Sequence, residues 1–124
     1  MKEEQKKQFQ EMDKIELSVE LEHACLKGLL EVVKYLLTSS ELKEHADIHY
    51  DYDQSFFNAY NEDRVDVVQY LVFDYKINKT KDIIKNLVQH SRTDISNLFY
   101  KRDLEEKLQN TLTNNKKIDN KIKL

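Results

Sequence analysis

One segment of this chain is written twice. Glu31-Val32-Val33-Lys34-Tyr35-Leu36-Leu37 is matched by Asp66-Val67-Val68-Gln69-Tyr70-Leu71-Val72 at an offset of 35 residues, without a gap. The match extends backwards. Leu21 falls on Phe56, Ala24 on Ala59, Gly28 on Asp63 and Leu30 on Val65. Self-similarity at a period of 20–50 residues points to a unit that cannot bury its apolar face alone and does so by stacking on its neighbour.

Each copy reads as two short helices. Leu21 and Ala24, or Phe56 and Ala59, stand three apart on one helical face, and the small Ala allows close approach. Val32, Val33, Leu36 and Leu37, or Val67, Val68, Leu71 and Val72, form the apolar stripe of the second helix. Gly28 and Asp63 fall at the intervening turn, where a left-handed residue is expected; Asp63 tolerates it less well because it carries a Cβ. A weaker third copy, Ile84 to Phe99, fits at an offset of 28, with Ile84 on Phe56, Leu87 on Ala59 and Ile95 on Val67.

Composition agrees. The chain of 124 residues has one Gly and no Pro, too few turn formers for a β-sandwich or barrel and too few glycines for a glycine-rich phosphate cradle. An all-α fold is expected. No apolar run is long enough to span a bilayer. No secretory signal is evident in the charged N-terminus, and Cys25 is the only cysteine, so a cytoplasmic setting is expected. The net charge of −3 gives no general case for nucleic-acid binding. Charge is unevenly spread: residues 41–74 carry Glu41, Glu44, Asp47, Asp51, Asp53, Glu62, Asp63, Asp66 and Asp74 against Lys43 and Arg64, whereas residues 113–124 are basic.

The pattern A-x-x-x-G-x-[LV]-[ED]-V-V-[KQ]-Y-L, followed by Ala46-Asp47-Ile48-His49, resembles ankyrin repeats, in the short form common in giant-virus and intracellular-bacterial ankyrin proteins. The likeness covers residues 18–100. It departs from the family in lacking Thr-Pro-Leu-His, in placing His45 where a Gly is usual, and in an insertion, Ser40–Glu44, expected to form an extra helical turn or a protruding loop. The resemblance implies a short helical solenoid of two to three repeats (18–48, 53–78, 82–102) with helical caps at both ends. Residues 1–17, with Phe9, Met12, Ile15 and Val19 at helical spacing, read as an N-terminal capping helix, or else as an arm that docks on a partner. Leu104, Leu108 and Leu112 mark a C-terminal helix over 103–112. Residues 113–124 read as a frayed basic tail, either merely solvated or an electrostatic arm.

Candidate chemistry is sparse. His45, Asp47 and His49 stand two apart, but a structural metal site needs more and better ligands, so no metal is expected and His49 is read as bonding the turn backbone. Cys25 has His23 nearby, yet lies on a helix face the repeat buries, and reads as a packed thiol. No cofactor and no catalysis are expected. The ankyrin resemblance implies recognition through the projecting turn and the inner-helix surface, which would carry Tyr50, Asp51, Tyr52, Asp53, Tyr60, Glu62 and Asp63. Tyr suits interfaces and the acids suit a basic partner surface; alternatively these rings cover the edge of the core. Tyr35 and Tyr70 are expected to pack between copies. The expected function is non-catalytic protein–protein binding, in its sharpest form a small inhibitor of a host or defence protein. The alternatives are a homo-oligomeric adaptor, or an immunity- or antitoxin-type protein blocking a nucleic-acid-binding enzyme.

Overall fold

The computed structural model describes the backbone of residues 1–122 and the side chains of residues 1–115. The described residues contain helices and no strand. In chain order these are α1 (Glu3–Gln10), α2 (Lys14–Lys27), α3 (Leu30–Thr38), α4 (Tyr50–Asn61), α5 (Val65–Gln69, continued by a π-helical turn over Tyr70–Asp74), α6 (Lys81–Gln89) and α7 (Thr93–Ile122). Three hairpins result: α2–α3, α4–α5 and α6–α7. Helix α4 packs between α2 and α6 in one layer, while in the other α5 packs against α3 and its π-helical continuation packs against α7.

The three hairpin turns share one geometry. Gly28, Asp63 and Ser91 are all left-handed, with φ of 73°, 54° and 53°. After each, an amide returns to the first helix: Leu29 N to Ala24 O at 2.9 Å, Arg64 N to Ala59 O at 2.8 Å, and Arg92 N to Leu87 O at 2.9 Å. These bonds satisfy carbonyls that the helix end would leave orphaned. The spacing of the three left-handed residues reproduces the offsets of 35 and 28 found in the sequence. Gly28 alone needs to lack a side chain for space as well as for φ. A Cβ there would stand 2.8 Å from Arg64 Cδ.

The core follows the repeated stripes. Val33, Leu36 and Leu37 from α3, and Val67, Val68, Leu71 and Val72 from the second hairpin, are buried against Leu21, Ala24, Phe56 and Ala59. In the third copy Leu87 and Ile95 are buried as expected, but Ile84 faces solvent and Ile83 takes the inward position. Helix α6 is therefore rotated relative to the simple alignment. The chain leaves α3 and α5 in the same way, with Ala46 N donating to Leu36 O at 3.0 Å and Ile77 N to Leu71 O at 2.9 Å. Between them Ser40–Glu44 forms neither an extra helical turn nor a free loop, because Leu42 is tucked into the core.

Both ends depart from expectation. Residues 1–17 are not one helix. The chain breaks after α1, and Asp13 starts α2 with a reciprocal capping box with Glu16. Helix α1 does cover an end of the core: Phe9 is buried, with its ring centroid 6.0 Å from that of Tyr35. Met12 is half-buried and Ile15 exposed. Tyr35 donates to Glu41 at 3.0 Å, beside Gln10, so it packs against α1 and the following link rather than between hairpins. Tyr70, by contrast, lies under Lys34 of the first hairpin, 5.3 Å from the ring centroid. At the other end no separate helix begins at 103. Helix α7 runs on continuously, and Leu104, Leu108 and Leu112 are exposed, so they cap nothing among the described residues. The tail lysines Lys116, Lys117, Lys121 and Lys123 lie outside the residues whose side chains are described.

Candidate functional site

Three successive residues at the start of α4 have left-handed backbone: Asp51, Tyr52 and Asp53, with φ of 56°, 54° and 64°. Each such residue costs an L-amino acid roughly 1–2 kcal/mol, so the turn must be held from outside. Asp53 is the handle. It is 3% exposed, accepts from the Thr80 hydroxyl at 2.6 Å, and is bonded to the His49 ring through Nδ1. Thr80 in turn caps α6, accepting from Ile83 N at 3.2 Å. His49 is thus engaged by a carboxylate and not by the turn backbone through its ring, which corrects the expectation from sequence.

A second set of bonds ties the link to the first hairpin. His49 N donates to Asp47 Oδ1 at 2.9 Å, Asp47 N donates to Ser18 Oγ at 2.8 Å, and Ser18 Oγ donates to Lys14 O at 2.7 Å. Buried Ser18 is therefore a splint between α2 and the link. The turn, α2 and the start of α6 form one polar network on one edge of the molecule.

Of the residues expected to contact a partner, the structure brings Tyr50, Asp51, Tyr52 and Asp53 together at the start of α4. Tyr52 is 77% exposed, Asp51 is exposed and Tyr50 half-buried. Asp53 is buried and works inward. Tyr60 is only 2% exposed; it is a core ring, in edge contact with Phe56 at 5.5 Å and Phe57 at 5.4 Å. Neither Asp53 nor Tyr60 is a surface contact. Glu62 and Asp63 are exposed, but at the opposite end of α4 from the turn, about 14 Å along the axis from Asp53 to Glu62. The expected single face is two patches. Thr80, Ser18 and Arg92 were missed; the T-x-x-I start of α6 was a readable capping signal for Thr80.

The carboxylates beside the turn repel one another. Burial, followed by the neighbouring charge of Asp51, raises the carboxyl of Glu22 above its usual range. Cys25 is buried, and burial pushes its thiol up to about 12, with the charge of Glu22 adding to the effect. It is a packing group with no thiolate at neutral pH. His45 Nε2 is 2.8 Å from Ser39 O, so His45 and His49 bond separate partners. Among the described residues no group of three or more His, Cys, Asp or Glu is placed to hold a metal ion, and no helix is long and apolar enough to cross a membrane.

No protein-family model matches the chain, no curated protein matches it, and no solved structure matches it.

Proposed function

We propose that the chain is a non-catalytic protein-binding module, built as a short ankyrin-like stack of helical hairpins, which recognises a partner with the acidic turn at the start of α4. The observation that carries this reading is Tyr52, an aromatic ring left almost wholly in solvent on a strained backbone that a buried carboxylate holds in place. Strain of that kind persists where surroundings over-determine it, and it is concentrated at binding sites. A ring presented on a pre-set backbone gives contact area with little ordering cost. The exposed carboxylate of Asp51 beside it suits a basic partner surface. The matched left-handed turns of the three hairpins support the repeat reading.

The test is affinity capture from the source cells with wild type, Tyr52→Ala and Asp51→Asn, the last of which removes the charge and keeps a residue suited to the left-handed backbone. The partner should be lost with both variants while their melting temperatures stay within about 1–2 °C of wild type, as expected for exposed residues. Retention of the same partner by Tyr52→Ala would reject the turn as the contact.

A second reading, self-assembly into an adaptor, is favoured by the exposed stripe Leu104–Leu108–Leu112 on α7. Light scattering on wild type and on Leu108→Gln separates the two: a concentration-dependent dimer abolished by the substitution supports self-assembly.

A further inference from the structure

The second acidic patch adjoins an apolar slot. Where α4 ends, α5 begins and α7 begins, a recess of about 180 Å³ opens between the second and third hairpins. Its apolar walls are Val65, Val68, Ile95 and Leu98, and Tyr60 and Arg92 close one side. Arg92 stacks on the Tyr60 ring at 5.3 Å from the centroid, which makes that side rigid. Val68 and Ile95 are buried, whereas Val65, on the rim, is 61% exposed. An apolar cavity of roughly 150 Å³ holds a benzene-sized group, so this recess, whose lining also includes Gln69, has room for one leucine or phenylalanine side chain.

The rim decides what kind of chain brings that side chain. Asp63 and Asp94 line the recess, and Glu62 and Asp66, both exposed, are the chain neighbours of Asp63 and Val65. The Arg92 guanidinium is already committed: it donates to Asp94 at 3.1 and 3.0 Å and to Tyr60 O at 3.0 Å, with Asp63 Oδ1 at 3.5 Å. Arg64 is directed away, donating to Leu26 O of the first hairpin at 2.9 Å. The slot is thus apolar at its floor and negative at its mouth. An apolar anchor within a charged rim is how protein interfaces are commonly built.

We infer that this slot seats one leucine-sized side chain from a basic segment of a partner protein, with the flanking Lys or Arg side chains reaching Glu62 and Asp66, the neighbouring exposed acids that do not pair with Arg92. The inference rests on the protein-binding reading, but it concerns the other end of α4 from Tyr52, so the two can fail separately.

The test follows methyl and amide resonances during titration with the peptide acetyl-Lys-Arg-Leu-Lys-Arg-amide at millimolar concentration. Saturable shifts are expected at the methyls of Val65, Val68, Ile95 and Leu98. Replacing the peptide Leu by Ala should weaken binding about tenfold, since most of the buried apolar area is lost. Val65→Lys, a change at an exposed position, should weaken it by a similar factor. Equal binding of the Leu and Ala peptides, or no shift at the slot, would overturn the inference. Shifts confined to Asp51–Asp53 would overturn the slot yet leave the turn as the recognition site.

Discussion

Arg64 and Arg92 make the same kind of bond one hairpin apart. Each immediately follows a left-handed turn residue, and each reaches back to a carbonyl at the end of the preceding hairpin's first helix. Arg64 Nε donates to Leu26 O at 2.9 Å and Arg92 Nη1 to Tyr60 O at 3.0 Å. The carbonyls at a helix C-terminus carry partial negative charge, so a guanidinium there is favoured electrostatically as well as by the bond. The stack is therefore held by a repeated polar clasp at its turns in addition to its apolar core.

The first clasp explains why the chain's one glycine stands at residue 28. Gly28→Ala should destabilise by about 2 kcal/mol: roughly 1 for a Cβ at positive φ, and the remainder for displacing Arg64 from Leu26. In an Arg64→Ala background the same substitution should cost only the backbone share, about 1 kcal/mol, because the 2.8 Å clash is gone. Urea unfolding of the four proteins of the cycle measures this. Equal costs in both backgrounds would show that the clash does not matter.

Asp53 and Thr80 join the left-handed turn to the start of α6, and their coupling is the next expectation. Asp53→Ala removes an acceptor from the Thr80 hydroxyl and from His49, in a buried place. It should cost about 2–4 kcal/mol. Thr80→Val loses the cap on Ile83 N as well as the link, for about 1–2 kcal/mol. The double variant should be less destabilised than the sum by about 1 kcal/mol or more. Additive losses in denaturant unfolding would mean that the two residues act separately.

Tyr60 illustrates how far the sequence could be read. The twice-written stripe located the helices, the turns and most of the core, because apolar period and turn position are local properties. It aligned Tyr60 with Cys25, which is buried too, and that correspondence was a sign of burial that the acids following Tyr60 obscured. The rotation of α6 was not legible, since Ile83 and Ile84 are adjacent isoleucines and only packing chooses between them. The inward role of Asp53 depends on Thr80, 27 residues away, which no local pattern reports. The exposed leucines of α7 satisfy the helical period whether or not anything covers them.

The burial of Tyr60 has its own consequence. Its hydroxyl is buried without a hydrogen-bond partner, and burial raises its pKa, opposed in part by the charge of Arg92. Tyr60→Phe removes an unsatisfied polar group and keeps the ring. It should be neutral or stabilising by up to about 1 kcal/mol. Tyr60→Ala removes the ring and should cost about 3–5 kcal/mol. Thermal unfolding of both variants checks the pair; a loss above about 1 kcal/mol in Tyr60→Phe would show that the hydroxyl does have a partner in solution.

Cys25 links the core to pH. Its thiol titrates near 9 when free and at about 12 in the fold, because burial disfavours the thiolate. The folded pKa is the higher one, so above pH 9 the unfolded chain releases a proton that the folded chain keeps. The stabilising share of this group is whole below about pH 9 and declines as pH rises towards about 12. Tyr60, Tyr70 and Tyr75, all shifted upwards chiefly by burial, add to the same alkaline loss. Stability measured by urea unfolding should therefore fall between pH 9 and pH 11, and Cys25→Ala should fall less steeply than wild type from its own lower starting value. The same burial should make the thiol inert: at pH 8 a disulfide reagent should label it only as fast as the chain opens, and urea should accelerate labelling strongly. Labelling of the native protein at the rate of a free thiol would place Cys25 outside the core and remove the basis for treating it as a packing residue.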